Sequence, residues 1–189
     1  MAGTTKQARA IATIDCELIT VKKKGEENEY ALDTASQISV EPSIETTDAV
    51  KLIIKGILRA QKPEQSTLTG NTITLTDNVF TPELVLLLQG GTLTPDTDGA
   101  TLKSYEPPKV GEKVTLTPFE LCAYSAIYNA AGTITGYEKI TYPNCHGVPV
   151  AFGAEDGTFR VNTYTINSMP DTGEAPYKLE YVTALPTVS

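Results

Sequence analysis

The adjacent residues Cys145 and His146, in the segment Asn144–Gly147, are the pair in this chain that could act as a nucleophile and its base. A cysteine thiolate activated by an imidazole is a common enzymatic nucleophile. However, adjacent side chains of an extended segment point to opposite faces, and the flanking Pro143 and Gly147 indicate a turn. The pattern therefore favours a structural cysteine beside a surface histidine, and we expect that the protein is not an enzyme.

A second candidate for chemistry is Asp96–Gly99, which resembles the first half of a calcium-binding loop. Such a loop needs further oxygen ligands and a closing glutamate, and the residues that follow supply neither. A turn is the better interpretation. Cys16 and Cys122 lack the spacing of metal ligands, and three cysteines cannot all be paired. We therefore expect reduced, buried thiols, no metal and no cofactor.

The composition indicates a single β-rich domain that spans residues 1–189. A chain of this length can bury one real core, and its 12 prolines, 14 glycines and many threonines separate short apolar runs. The net charge of −8 argues against a nucleic-acid-binding surface, which needs basic residues. The N-terminal arm, residues 1–10, is polar and mildly basic, which predicts neither a secretory signal nor a membrane anchor.

The clearest structural pattern is a strand, a turn and a helix within Gly70–Thr92. In its first part apolar residues alternate with threonines, as in a strand with one face toward the core. Thr81 and Pro82 suit the cap and the first position of a helix, and a pair of glycines ends it. The pattern predicts a short helix over about 81–90, which the rest of the chain must hold in place.

Every residue of Leu84–Leu88 is apolar, so this helix has no polar stripe to present to water. Both of its sides must then be covered. A neighbouring subunit could cover one side, or the helix could be sunk wholly inside its own domain, and periodicity alone does not separate the two. The subunit alternative assigns to the interface Leu84, Leu86, Leu87 and Leu88.

Residues 49–61 fit both a helix and a strand, because their apolar residues recur at helical spacing and also alternate. Their β-branched residues and Gly56 favour a strand. In that strand Ile53 and Ile57 lie outside among lysines and need a partner, which adds them to the predicted subunit interface. The remaining apolar residues are expected to face the core, namely Val50, Leu52, Ile54 and Leu58.

Two further strands are predicted to have an acidic outer face. In the first, Asp15 and Glu17 alternate with apolar residues, and in the second, Glu41 ends an alternating run that Pro42 breaks. The apolar residues of the first strand are Ile14, Cys16 and Leu18.

Loops are predicted at three places: a charged hairpin tip over 22–29 and long loops over 35–48 and 92–113. Loops of the latter length are usually functional. The charged residues of the tip are Lys22, Lys23, Lys24, Glu26 and Glu27.

Several segments give the chain a resemblance to the tail tube proteins, or major tail proteins, of tailed bacteriophages and related tail-like particles. They are Thr67–Gly91, Tyr105–Gly111, Tyr137–Pro143 and the final strands. The likeness extends from about Ile11 to Leu185 and rests on the order and spacing of elements. It implies a mainly β fold, a β-sandwich or partial barrel with one short helix on its flank. It also implies six copies in a ring and rings stacked into a hollow tube.

The resemblance also implies where residues would lie in the tube and what would meet them. Strands of successive subunits would join into one barrel, with Asp15, Glu17 and Glu41 facing the channel. DNA or effectors would pass without specific binding, because a negative wall repels a polyanion. The hairpin tip and the 35–48 loop would reach the next ring. Partners would be further copies of the chain and the tail sheath, baseplate and terminator proteins, in a virion tail or tail-like particle assembled in the host cytoplasm.

A different class of function stays open, a monomeric β-sandwich binding module such as one for carbohydrate. A sugar platform usually needs exposed flat rings. The chain has no tryptophan, and most of its nine tyrosines fall on core-phase positions or beside proline and glycine. The aromatic residues therefore favour the self-assembling subunit.

Overall fold

The computed structural model describes residues 11–27, 29–96 and 102–187. As predicted, this part of the chain is mainly β, with one short helix. The strands are β1 (Thr13–Lys23), β2 (Glu29–Leu32), β3 (Ala35–Thr47), β4 (Val50–Ile54), β5 (Ile57–Lys62), β6 (Gln65–Asp77), β7 (Thr92–Pro95), β8 (Leu102–Glu106), β9 (Phe119–Tyr128), β10 (Ile134–Gly147), β11 (Asn162–Ser168) and β12 (Lys178–Val182), and the helix α1 is Pro82–Gln89.

One antiparallel sheet organises the chain, with the strand order β2-β1-β9-β10-β11-β6-β3. Strand β12 joins it beside β10, and β4-β5 and β7-β8 form separate two-stranded sheets. Two strands pair with the same edge of β10: β12 pairs with Tyr137–Thr141, and β11 pairs with Cys145–Gly147. Between these stretches Asn144 has φ of 51°, so the turn expected near Pro143 is instead a bulge inside β10.

Most of the core lies between the helix and one face of this sheet. Leu84, Val85 and Leu88 of α1 are fully buried there. The sheet side chains that pack with them include Ile73, Leu75, Phe119, Leu121, Tyr164 and Ile166. A smaller buried cluster, Leu18, Cys122 and Tyr124, lies apart from it. The sheet therefore has a fully covered face and a face that is covered only in part.

Gly147 lets the helix approach the sheet closely. A Cβ at this position would overlap the backbone and Cβ of Leu88. The end of the helix is also fixed by hydrogen bonds: Gln89 Nε2 donates to the Tyr105 hydroxyl at 2.8 Å, and Gln89 Oε1 accepts from the Val150 N–H at 2.7 Å. The Tyr105 hydroxyl donates in turn to the Gly90 carbonyl at 2.7 Å. The short helix is thus held by tertiary contacts, as its length requires.

Asp77 determines where the strand ends and the helix begins. Its buried carboxylate accepts hydrogen bonds from the Thr34 hydroxyl at 2.6 Å, the Val79 N–H at 3.2 Å and the Thr81 hydroxyl at 3.2 Å. Thr81 is the N-cap residue, as predicted, but its hydroxyl donates to Asp77 and makes no cap hydrogen bond to the helix. The hydrogen bonds from Val79 and Thr81 hold the turn between β6 and α1, and the one from Thr34 ties this turn to the connection between β2 and β3.

The predicted alternation in β1 is wrong between Ile14 and Leu18. These residues pair with Ala126 and Tyr124 of β9, so four steps along β1 match only two along β9. Asp15 lies in this bulge with φ of 63°. Within this bulge the alternation is interrupted, so that Cys16 packs against the larger cluster while Leu18 lies in the smaller one.

The loop predicted over 35–48 is wrong, because β3 continues through Pro42 to Thr47. Pro42 pairs with Asn71, and β3 is the outermost strand on its side of the main sheet. Proline is tolerated on an edge strand because its missing N–H can face solvent, where no strand needs it for pairing. The long loop predicted over 92–113 contains the β7-β8 hairpin. The rest of the predicted calcium-like turn after Asp96 lies outside the described residues.

Candidate assembly surfaces

The face of β3, β6 and β11 that points away from helix α1 is polar and nearly uncharged. Its side chains form three cross-strand rows, and Glu41 is its only charged member. The Thr72 hydroxyl donates to Asn167 Oδ1 at 3.4 Å across two of the strands. We call this surface the hydroxyl face; it consists of Gln37, Ser39, Glu41, Thr72, Thr74, Thr76, Thr163, Thr165 and Asn167.

The main sheet does not close on itself within the described ranges. Strand β2 ends the sheet on one side and β3 on the other, and no described strand pairs with the outer edge of either. Unpaired N–H and C=O groups along such an edge are a template for another strand. The two edges differ in sequence and length, so pairing them between copies would be head-to-tail.

Beyond the main sheet, β3 and β6 run on as a ribbon into the β4-β5 hairpin, and we call residues 43–70 the arm. The arm turns at Lys55 and Gly56, whose φ values of 50° and 76° are both positive, as a type I′ turn requires. Every side chain of β4 and β5 is exposed. Eight large aliphatic residues of the arm keep between 45% and 65% of their surface in water: Ile44, Val50, Leu52, Ile53, Ile54, Ile57, Leu58 and Leu68.

The arm confirms β structure over 49–61, but the single predicted strand is two strands joined by a turn, and the predicted orientation of its side chains needs correction. Ile53 and Ile57 are exposed, as expected. The assignment of Val50, Leu52, Ile54 and Leu58 to the core is wrong, because the hairpin is a sheet of its own that leaves the main one. An apolar surface of this extent on a soluble protein is typical of an interaction site.

The β4-β5 hairpin at the end of the arm is basic. Residues 50–62 contain four cations, Lys51, Lys55, Arg59 and Lys62, and no carboxylate. With 15 basic and 23 acidic residues in the whole chain, the remainder has a net charge of −12. Apolar surface and positive charge therefore coincide on the part of the chain that extends from the sheet.

The helix residues predicted at a subunit interface divide into two groups. Leu84 and Leu88 are buried inside the chain, as the sunken-helix alternative requires, so they have no surface left for a neighbour. Leu86 and Leu87 are half-buried, and Leu87 packs partly against the core. Contact with a neighbouring subunit stays a prediction for these two, together with Ile53 and Ile57.

The residues predicted to face a channel do not share one environment. Asp15 and Glu41 are exposed, whereas Glu17 is half-buried. Glu41 belongs to the hydroxyl face, and Asp15 lies in the bulge of β1. Of the three, only Glu41 belongs to the hydroxyl face, and contact of any of them with a channel stays a prediction.

The charged hairpin tip forms where it was predicted, since Lys22 pairs with Glu29 at the end where β1 turns into β2. Within the tip, Lys23 Nζ and Glu26 Oε1 form an exposed ion pair at 2.6 Å. Exposed pairs of this kind contribute only about 0–1 kcal/mol. Lys22, Lys24 and Glu27 complete the charged surface of the tip, and its contact with a next ring stays a prediction.

A fourth exposed surface joins β10 to β11, and we call residues 148–161 the aromatic loop. Phe159 is 98% exposed, and Phe152 and Val161 are exposed as well. Phe152 packs edge-on against Phe80 with ring centroids 5.8 Å apart, and the Arg160 guanidinium lies 4.8 Å from the Phe80 centroid. The spacing of Phe159 and Val161 predicts the start of a strand, but β11 begins only at Asn162, so the sequence pattern did not reveal this exposed surface.

Cys145 and His146 occupy successive positions of β10, with Cys145 buried in the core and His146 paired with Asn167 of the hydroxyl-face row. Burial raises the pKa of the Cys145 thiol to about 12, and this thiol donates to the Tyr142 carbonyl at 3.3 Å. Burial also raises the pKa of Cys122 and of Cys16. These thiols are protonated near neutral pH, unlike the thiolate of a nucleophilic pair.

Across the described residues, no three or more histidine, cysteine or carboxylate side chains are grouped so as to hold a metal ion. The helix in that part of the chain is too short to cross a membrane.

The sequence matches no protein-family model and none of the curated proteins compared with it. Two similar solved structures are parts of the anti-feeding prophage, a tail-like particle. The cryo-EM structure of its tube-terminating cap has 12% identity and a TM-score of 0.45, covering 96% of this chain and 100% of that one. The 6-fold symmetrised baseplate has 10% identity and a TM-score of 0.34, covering 94% and 93%.

Proposed function

We propose that this chain is a structural subunit that assembles with copies of itself into rings, which stack into the hollow tube of a phage tail or tail-like particle. The observation that carries this proposal is the open main sheet, with unpaired outer strands β2 and β3 in the described chain. Head-to-tail pairing of these two edges would join the sheets of successive copies, and such a series either closes into a ring or continues as a filament. Closure also removes the exposed edges.

In such a ring the covered face, with its helix, lies outside and the hydroxyl face lines the channel. The hydroxyl face suits a passage for DNA because it offers hydrogen-bonding groups without cations. Counterion release drives non-specific DNA binding, and the hydroxyl face, which has no lysine or arginine, would contribute none. Glu41 then contributes one carboxylate per copy to the channel, a smaller charge than the three residues predicted from the sequence.

The first test is the state of the purified protein over a range of concentration and salt, by light scattering and negative-stain electron microscopy. We expect rings or tubes, and in the structure of an assembled tube β3 of one copy should pair with β2 and the adjoining part of β1 of the next. A compact monomer under every condition would overturn the proposal and favour a monomeric binding module.

A further inference from the structure

We propose that the arm of one copy docks onto the aromatic loop of a second copy. This inference rests on the proposed self-assembly and adds to it a second contact, distinct from the pairing of sheet edges. Both surfaces are largely exposed on the same chain. They therefore do not cover each other within one copy, and a neighbouring copy is the occupant that could cover both.

The two surfaces are complementary in their apolar groups. The hairpin offers aliphatic side chains on both of its faces, among them Leu52, Ile54 and Ile57. The aromatic loop offers Phe159 and Val161 beside an open hollow of about 520 Å³, which Gly153 and Ala154 also line. Aromatic and aliphatic groups that meet in a desolvated centre are typical of the residues that dominate protein interfaces.

The two surfaces are also complementary in charge. The hairpin has four cations and no carboxylate, whereas the aromatic loop has Glu155 and Asp156, both exposed. The one cation of the loop, Arg160, faces the rings of Phe80 and Phe152. Opposite charges on two patches steer their encounter and select the correct partner. Contact between two hairpins would bring like charges together, so the charge pattern favours the loop as the docking surface.

Each copy has one arm and one loop, and in the proposed ring or tube, where copies are arranged head-to-tail, the two would contact different neighbours. Each copy would then contact two neighbours, one through its arm and the other through its loop. A contact of this kind propagates through the assembly and does not stop at a dimer.

A charge-swap experiment tests the inference. Two variants, Lys51→Glu with Arg59→Glu in the arm and Glu155→Lys with Asp156→Lys in the loop, place like charges opposite each other. Each should raise the critical concentration for assembly by about tenfold or more, since like-charge contacts across an interface are costly. The two sets combined in one chain should restore assembly. Lys103→Glu with Lys109→Glu, which changes the net charge as the arm variant does, is the matched control and should assemble normally.

Cross-linking identifies the contact directly. Copies with Ile57→Cys and copies with Ala154→Cys, both in a Cys16→Ser background, are mixed, assembled and treated with a short bismaleimide. Mixed dimers should form, and they should disappear when the assemblies are dissociated before treatment. If wild-type protein assembles but the charge swap gives no rescue and no mixed dimers form, the docking inference is wrong and the proposed function stands. If wild-type protein never assembles, both are wrong.

Discussion

Strand β6 contains two regions that are similar in composition and opposite in burial. In its second part, Asn71–Asp77, side chains alternate between the core and the hydroxyl face. In its first part, Gln65–Thr69, every side chain is exposed. Threonines flank the apolar residues in both parts, but helix α1 covers only the second, where its leucines pack on Ile73 and Leu75. Alternation thus defines a strand, and a covering element elsewhere in the chain decides whether the strand becomes core or surface.

The largest expected difference is in the free energy of unfolding, between a substitution in the core that α1 covers and one in the exposed arm. Leu88→Ala removes a fully buried side chain and should lower the free energy of unfolding by about 2–5 kcal/mol. Leu58→Ala in the arm is the matched change at an exposed position, and it should alter that free energy by no more than about 0.5 kcal/mol. Urea unfolding of dilute, unassembled protein measures both. Equal losses would mean that the arm is as much a part of the folded core as the helix is.

A second, smaller effect concerns the contact that covers the sheet. Gly147→Ala puts a Cβ against the Leu88 backbone, so the helix must move away, and we expect a loss of about 1–3 kcal/mol. Gly153→Ala adds the same group in open space and should change little. Thermal unfolding followed by circular dichroism compares the two variants with the wild type. An unchanged melting temperature for Gly147→Ala would show that close approach of the helix is not needed to cover β6.

A third change tests the junction between β6 and the helix that covers it. Asp77→Ala leaves the Thr34 and Thr81 hydroxyls and the Val79 N–H without their acceptor, and we expect a loss of about 1–2 kcal/mol. Glu45→Ala removes an exposed carboxylate from the arm and should have an effect close to zero. Urea midpoints at neutral pH measure the difference. A neutral Asp77→Ala would indicate that packing alone positions the helix.

The last effect appears only at alkaline pH and is absent near neutral pH. The pKa of Cys145 is about 12 in the folded chain against an ordinary value of 9.0, so the fold favours the protonated thiol. Below pH 9 the thiol is protonated in both states and adds no pH dependence. As pH rises from 9 towards 12 the unfolded chain ionises first, and stability falls, by at most about 1.4 kcal/mol per pH unit for this group. Cys145→Ser should reduce that slope in urea unfolding, and an unchanged slope would mean that the thiol is not sequestered.

Sequence patterns predicted those elements whose signals are local. The helix, expected over about 81–90, spans Pro82–Gln89, and the charged tip lies between β1 and β2 as expected. The patterns failed where the deciding interaction is distant in the chain. Nothing near Pro42 shows that β3 lies at a sheet edge, and nothing within 49–61 shows that no other element covers the hairpin.

Sequence patterns also predicted some of the residues of the candidate surfaces and missed others. The sequence correctly placed Ile53 and Ile57 outside the core. It assigned Leu84 and Leu88 to an interface because an apolar stretch does not reveal which chain buries it. The bulge at Asp15 was not predicted, because the spacing of apolar residues does not show that a residue inside a strand has a left-handed backbone conformation. The aromatic loop was missed because its exposure follows from the path of the backbone between β10 and β11.

The cations of the arm have a consequence for the free subunit before any assembly exists. A long β ribbon with exposed aliphatic side chains is a hazard in a crowded solution, since identical ribbons can pair edge to edge and precipitate. Lys51, Lys55, Arg59 and Lys62 are distributed along both strands and the turn of the hairpin. Two ribbons that met would place these lysines and the arginine close together, and lysine on an exposed edge is a known protection against such aggregation. The same residues would thus keep newly made chains soluble until a surface of opposite charge is at hand.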